Sequence, residues 1–237
     1  MKPTTSAGHS AALGRPFAAR RSHRFDLAAP AAEQRAMAAG WLTLAVAALI
    51  GSGLFSALLV LARTPHVAAL VPGVDFFHVA LVVHVDLSVL VWFVSMAGLL
   101  WSFDSAPRAL GLGWLALWVT AIGTLMMAAS AFVGVPRPVM SNYVPVLESP
   151  LFLYGLVVFG VGFALLTLRS FLARVRIGLA LEGHDALRFG LRAAAVSAAV
   201  ALMAMVWSLV EVPTSLEGKT YYELLFWGPG HVIQFTW

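Results

Sequence analysis

The chain has 237 residues, of which 60% are hydrophobic and 11% charged, and its mean hydropathy is +0.87. An ordinary soluble domain carries about 25% charged residues, and a water-soluble globule cannot hide this much apolar surface. A soluble enzyme, a disordered chain and a nucleic-acid-binding domain are therefore excluded. The lack of cysteine also removes disulfide frameworks, thiolate metal sites and haem attached through Cys. The net charge is only +4, and the basic residues sit between apolar stretches, where membrane topology accounts for them.

A bilayer-spanning helix needs about 20 mostly apolar residues. Residues 1–35 are small, polar and basic, without the apolar core of a signal peptide; they are expected to form a flexible cytoplasmic tail. The transmembrane domain is expected over residues 36–237. Its uncharged stretches are Ala36–Ala62, Ala109–Pro136, Ser149–Leu168 and Ala193–Val210, with Phe76–Phe103 broken only by His78, His84 and Asp86. A sixth stretch, from about Leu224 to Trp237, is too short to cross comfortably and reads as the first part of a helix that has been cut off. The expected fold is an all-α polytopic transmembrane helix bundle, with five complete helices plus a truncated sixth. No internal repeat and no separate soluble domain is visible.

Orientation follows from the basic residues. With the N-terminus cytoplasmic, twelve of the fifteen fall on the inner side and only Arg63, Arg137 and Lys219 on the outer side. That is a strong positive-inside bias, and helix six then runs from outside inwards.

Ionisable groups inside a membrane are expensive and usually functional. His84 lies about 12 Å along helix two, and His231 roughly 13 Å along helix six if that helix enters near Tyr222. Two histidines on different helices are thus expected at similar depth. Neutral imidazole suits iron and copper, and helix bundles hold cofactors by inward side chains from facing helices. Two unrelated helix–helix hydrogen bonds are the alternative. His78 does not share a face with His84 and is expected at the interface, while His9, His23, His66 and His184 are expected in solvated tail and loops. Asp86 must be protonated, paired or facing a watery cavity. Most of the tryptophans are expected in an aromatic belt.

The segment His84-Val85-Asp86-Leu87-Ser88-Val89-Leu90-Val91-Trp92-Phe93 resembles helix two of subunit I of the haem-copper oxidases (the cytochrome c oxidase superfamily). The segment Phe226-Trp227-Gly228-Pro229-Gly230-His231-Val232-Ile233-Gln234-Phe235 resembles helix six of the same family. The outer segment from Asn142 to Phe152 resembles the link between helices three and four. The resemblance implies that His84 is an axial ligand of the low-spin haem and that His231 is a ligand of the copper facing a high-spin haem. Asp86, Glu211 and Glu223 are then candidates for a proton path or a haem contact.

Ile233 and Phe235 stand where mitochondrial-type members carry a proton-channel glutamate and a cross-linked tyrosine. The resemblance is therefore to divergent bacterial branches, as the N-terminal part of subunit I. It implies a respiratory terminal oxidase of the bacterial plasma membrane. Its electrons would come from cytochrome c or quinol, and its partners would be further oxidase subunits and the lipid membrane. A nitric oxide reductase-type large subunit is the alternative within the family. A small helical transporter or assembly protein is the alternative outside it, although no inverted halves are visible.

Overall fold

A computed structural model describes residues 30–65, 75–177 and 183–236. Along these residues run α1 (Ala32–Arg63), α2 (Phe76–Val85), a π-helical segment (Asp86–Val91), α3 (Trp92–Phe103) and α4 (Leu110–Ala129). A short hairpin follows, β1 (Arg137–Val139) and β2 (Val146–Glu148), then α5 (Pro150–Leu172), α6 (His184–Glu211) and α7 (Gly218–Ile233). The π segment joins α2 and α3 without a break, so five helical runs are long and apolar enough to cross a bilayer. The chain is an all-α, multi-pass membrane bundle, and α7 is a shorter sixth helix of 16 residues.

Three helices start earlier than the sequence expectation, while α4, Leu110–Ala129, stops short of the expected Pro136. α1 starts at Ala32 rather than Ala36, α6 at His184 rather than Ala193, and α7 at Gly218 rather than near Leu224. Charged residues end an apolar stretch, but main-chain hydrogen bonding carries a helix on into water. α1, with 32 residues, is about 48 Å long against a hydrocarbon core of about 30 Å. Residues 32–35 are therefore helix and not tail, and His184 opens a helix rather than lying in a loop. Residues 1–29 of the expected tail, with His9 and His23, lie outside the described residues, as does His66.

Helix packing in lipid relies on close backbone approach rather than on a hydrophobic drive between helices. α4 and α5 make the closest pair. A Cβ on Gly123 would stand 2.4 Å from the Phe159 nitrogen and 2.7 Å from the Gly155 oxygen, so no larger residue fits there. Trp41 of α1 is fully buried with its indole N–H unpartnered among the described residues; it belongs to the core, not to an aromatic belt. Trp118, Trp207 and Trp227 are exposed.

One end of the bundle is tied by polar groups. The Gln34 side-chain amide donates to the Ser105 carbonyl, and Arg169 Nη2 donates to Ser105 Oγ at 3.1 Å. Arg188 of α6 bonds Asp104 at 2.8 Å. These contacts draw α1, α5 and α6 onto the short turn between α3 and α4. At the opposite end, Arg63 lies 3.8 Å over the Phe77 ring, and the β1–β2 hairpin closes over the helices.

Candidate functional site

His84 ends α2 at the point where the helix widens. A π turn lengthens the main-chain bonds by one residue and is frequent at functional sites. Here the His84 carbonyl receives two side-chain hydroxyls, Ser52 at 3.0 Å and Ser88 at 2.8 Å. The ring is held as well. Its Nδ1 lies 2.9 Å from the Ser52 carbonyl oxygen and 2.9 Å from the Ser52 hydroxyl oxygen. A carbonyl can only accept, so in the neutral imidazole Nδ1 carries the proton and Nε2 keeps a lone pair. Ser52 is a buried residue of α1, so His84 is oriented by a neighbouring transmembrane helix.

His231 reaches the same state by local means. It lies on α7 two residues after Pro229, and its Nδ1 donates to the Trp227 carbonyl at 2.7 Å. Nε2 is again the nitrogen with the lone pair. The Tyr143 hydroxyl lies 2.8 Å from Nδ1 and 2.9 Å from Nε2. His231 is exposed along one side of the bundle, whereas His84 is half-buried. A metal-bound histidine commonly donates its other ring N–H to a carbonyl or carboxylate, which fixes its tautomer and direction. Both imidazoles meet that condition.

Each histidine is gripped by its own partners, His84 by Ser52 and His231 by Trp227 and Tyr143. Counted from the first residue of each helix, His231 is about 20 Å along α7 and His84 about 12 Å along α2. Among the described residues no group of three or more His, Cys, Asp or Glu is placed to hold a metal ion. The donors present fit one axial imidazole for a haem and one imidazole for a copper; the described residues offer no complete ligand set for either. Their two helices do share an apolar cavity of about 780 Å³, lined by Val89, Leu90 and Phe93 from the second span and by Pro229, Gly230 and Ile233 from the α7 side. That volume lies within the range of cofactor and ligand sites.

Asp86 opens the π segment. It is buried, and neither carboxylate oxygen has a hydrogen-bond partner among the described residues. An unpartnered buried carboxyl costs free energy, so its position is not explained by stability. His78 is bonded to Asp75 at 2.6 Å and partly exposed. Glu223 pairs with Lys219 at 3.4 Å within α7, and Glu211 is exposed at the last residue of α6. These two glutamates do not converge with Asp86 on one hydrogen-bonded path among the described residues.

Two residues central to this geometry carry little sequence signal. Ser52 is one small residue in an apolar helix, and a serine within a span is at most a candidate for an interhelical hydrogen bond. Tyr143 is visible only as an aromatic in a Pro-rich connection.

Two uncharacterized proteins are similar in sequence. RP382 of Rickettsia prowazekii (strain Madrid E) is 26% identical over 230 residues, which covers 85% of this chain and 44% of the relative. A protein of Aquifex aeolicus (strain VF5) is 29% identical over 201 residues, covering 83% of this chain and 49% of the relative. The chain thus spans about half the length of the curated relatives it matches. No family model matches the chain, and no solved structure does.

Proposed function

We propose that this chain is the N-terminal part of the large subunit of a membrane haem-copper oxidoreductase. Its place would be the bacterial plasma membrane, with the N-terminus in the cytoplasm. It would reduce dioxygen with electrons from cytochrome c or quinol, alongside further oxidase subunits. The observation that supports the reading best is the matched state of the two imidazoles. Each has Nδ1–H committed to a main-chain carbonyl and Nε2 left for a metal, and they are the same two histidines that carry the sequence resemblance.

His84 would hold the low-spin haem, and His231 would help hold the copper. When bound, these groups supply the one-electron and oxygen chemistry. This chain's own residues position them. Ser52 fixes the His84 ring from α1, and the Trp227 carbonyl fixes His231. By the resemblance, the other ligands come from helices beyond the sixth. Asp86 is the candidate within the membrane for a proton path or a haem contact, and Glu211 and Glu223 are candidates for proton entry at the outer face. The departures at Ile233 and Phe235 favour, as a second reading, reduction of nitric oxide by a related large subunit.

The test is haem and copper content in the protein expressed from its own gene and purified in detergent. Both are expected in the wild type, with haem reduced in His84→Ala and copper lost in His231→Ala. A stable, colourless, metal-free protein would overturn the reading and favour a transporter or assembly role.

A further inference from the structure

The β1–β2 hairpin does more than link two helices. Its strands pair with Arg137 opposite Glu148 and Val139 opposite Val146, and the Arg137–Glu148 ion pair closes the base at 3.4 Å. At the tip, Ser141 Oγ donates to the Val144 carbonyl at 2.6 Å, and the Val144 N–H donates to the Asn142 carbonyl at 2.8 Å. Tyr143 lies between them with φ of 67°, a left-handed conformation that a bulky side chain adopts only at a cost. That conformation drives the ring into the bundle. A Cβ on Gly230 would stand 2.3 Å from the Tyr143 ring, so only glycine allows the ring to lie there.

The result is an imidazole held between two aromatic rings. Tyr143 packs on one part of it at 4.9 Å between centroids, and Trp227 on another at 4.4 Å. The Tyr143 hydroxyl is almost equidistant from both ring nitrogens. An oxygen on the lone-pair line of Nε2 would be much farther from Nδ1 than from Nε2. The hydroxyl therefore rests against the ring and leaves the in-plane approach to Nε2 open. Nδ1–H is meanwhile committed to Trp227.

We propose that Tyr143 is the positioning residue for His231, which makes the hairpin between α4 and α5 a working part of the metal site. The inference rests on the reading of His231 as a metal ligand. Tyr143 acts through His231: packed against the imidazole, it fixes the ring's rotamer, and so the direction in which Nε2 offers its lone pair. Gly230 is required because its missing Cβ makes room for the tyrosine.

The experiment is the ¹⁵N histidine ring spectrum of the chain in detergent, with His84 as an internal control that Ser52 holds independently. The wild type should give one sharp Nδ1–H pattern for His231. Tyr143→Phe should shift its Nε2 resonance. Tyr143→Ala and Gly230→Ala should replace the single pattern with averaged signals, while His84 stays unchanged. Should Tyr143→Ala fail to fold, Tyr143→Phe and Gly230→Ala still decide the matter. An unchanged His231 pattern in the folded variants would overturn the inference. Copper content in protein expressed from its own gene separates the two layers of the argument. Copper that falls in Tyr143→Phe while haem stays supports the positioning role in the metal site. A His231 ring that responds to Tyr143 in a wild type that binds no copper supports the grip on the imidazole and overturns its role as a ligand.

Discussion

His84 and His231 arrive at one chemical state from opposite directions. His84 is oriented across the bundle, by a serine on α1, and its carbonyl is covered at a π turn. Its geometry exists only once two helices have packed. His231 is oriented mostly from its own helix, through a carbonyl four residues earlier, with the hairpin tip pressed on it from outside. The first site is a product of tertiary structure, and the second needs one helix and one loop. Disturbing helix packing should therefore damage the His84 site and spare His231, and disturbing the hairpin should do the reverse.

The largest effect is expected where the hairpin meets α7. Gly230→Val would force the Tyr143 ring away and should cost about 1–3 kcal/mol as an overpacked contact. Unfolding of the purified chain by denaturant, followed by Tyr143 or tryptophan fluorescence, would measure it; the His84 ring spectrum should not change. On the other side of the comparison, Ser52→Ala removes a hydroxyl that donates to the His84 carbonyl and should cost about 1 kcal/mol. It should broaden the His84 ring signals and leave His231 as it was. Ser88→Ala should cost less than Ser52→Ala in the same assay, because the Ser88 hydroxyl meets only carbonyls of its own helical run, whereas the Ser52 hydroxyl joins two helices and also meets the His84 ring. Asp86→Leu is the one change expected to be neutral or stabilising, since it replaces an unpartnered buried carboxyl with apolar volume. A loss of turnover in that stable variant would mark Asp86 as a working group.

Much of the architecture was legible in the sequence because hydropathy is a strong signal over 20 residues. The five spans and the short sixth helix are where the apolar stretches lie. The helix ends were not legible, since Arg35 and Arg192 read as boundaries but lie inside helices that extend past the apolar core. That Trp41 lies in the core was not legible, because a tryptophan near a span's end looks the same whether it meets lipid headgroups or a core. The two histidines stood out as ionisable groups in apolar surroundings. Their tautomers did not, because those depend on Ser52 and Trp227, and no spacing rule shows which carbonyl a ring nitrogen will meet. Tyr143 reaches His231 only through a left-handed turn and a missing Cβ at Gly230, a pairing across 88 positions that sequence periodicity does not carry.

The most direct test of the account is the dithionite-reduced minus oxidised visible spectrum of the protein expressed from its own gene, compared among wild type, His84→Ala and Ser52→Ala. The account predicts low-spin haem bands in the wild type, their loss in His84→Ala, and shifted but surviving bands in Ser52→Ala. Bands that persist unchanged in a folded His84→Ala protein, or a wild type with no haem bands at all, would contradict it.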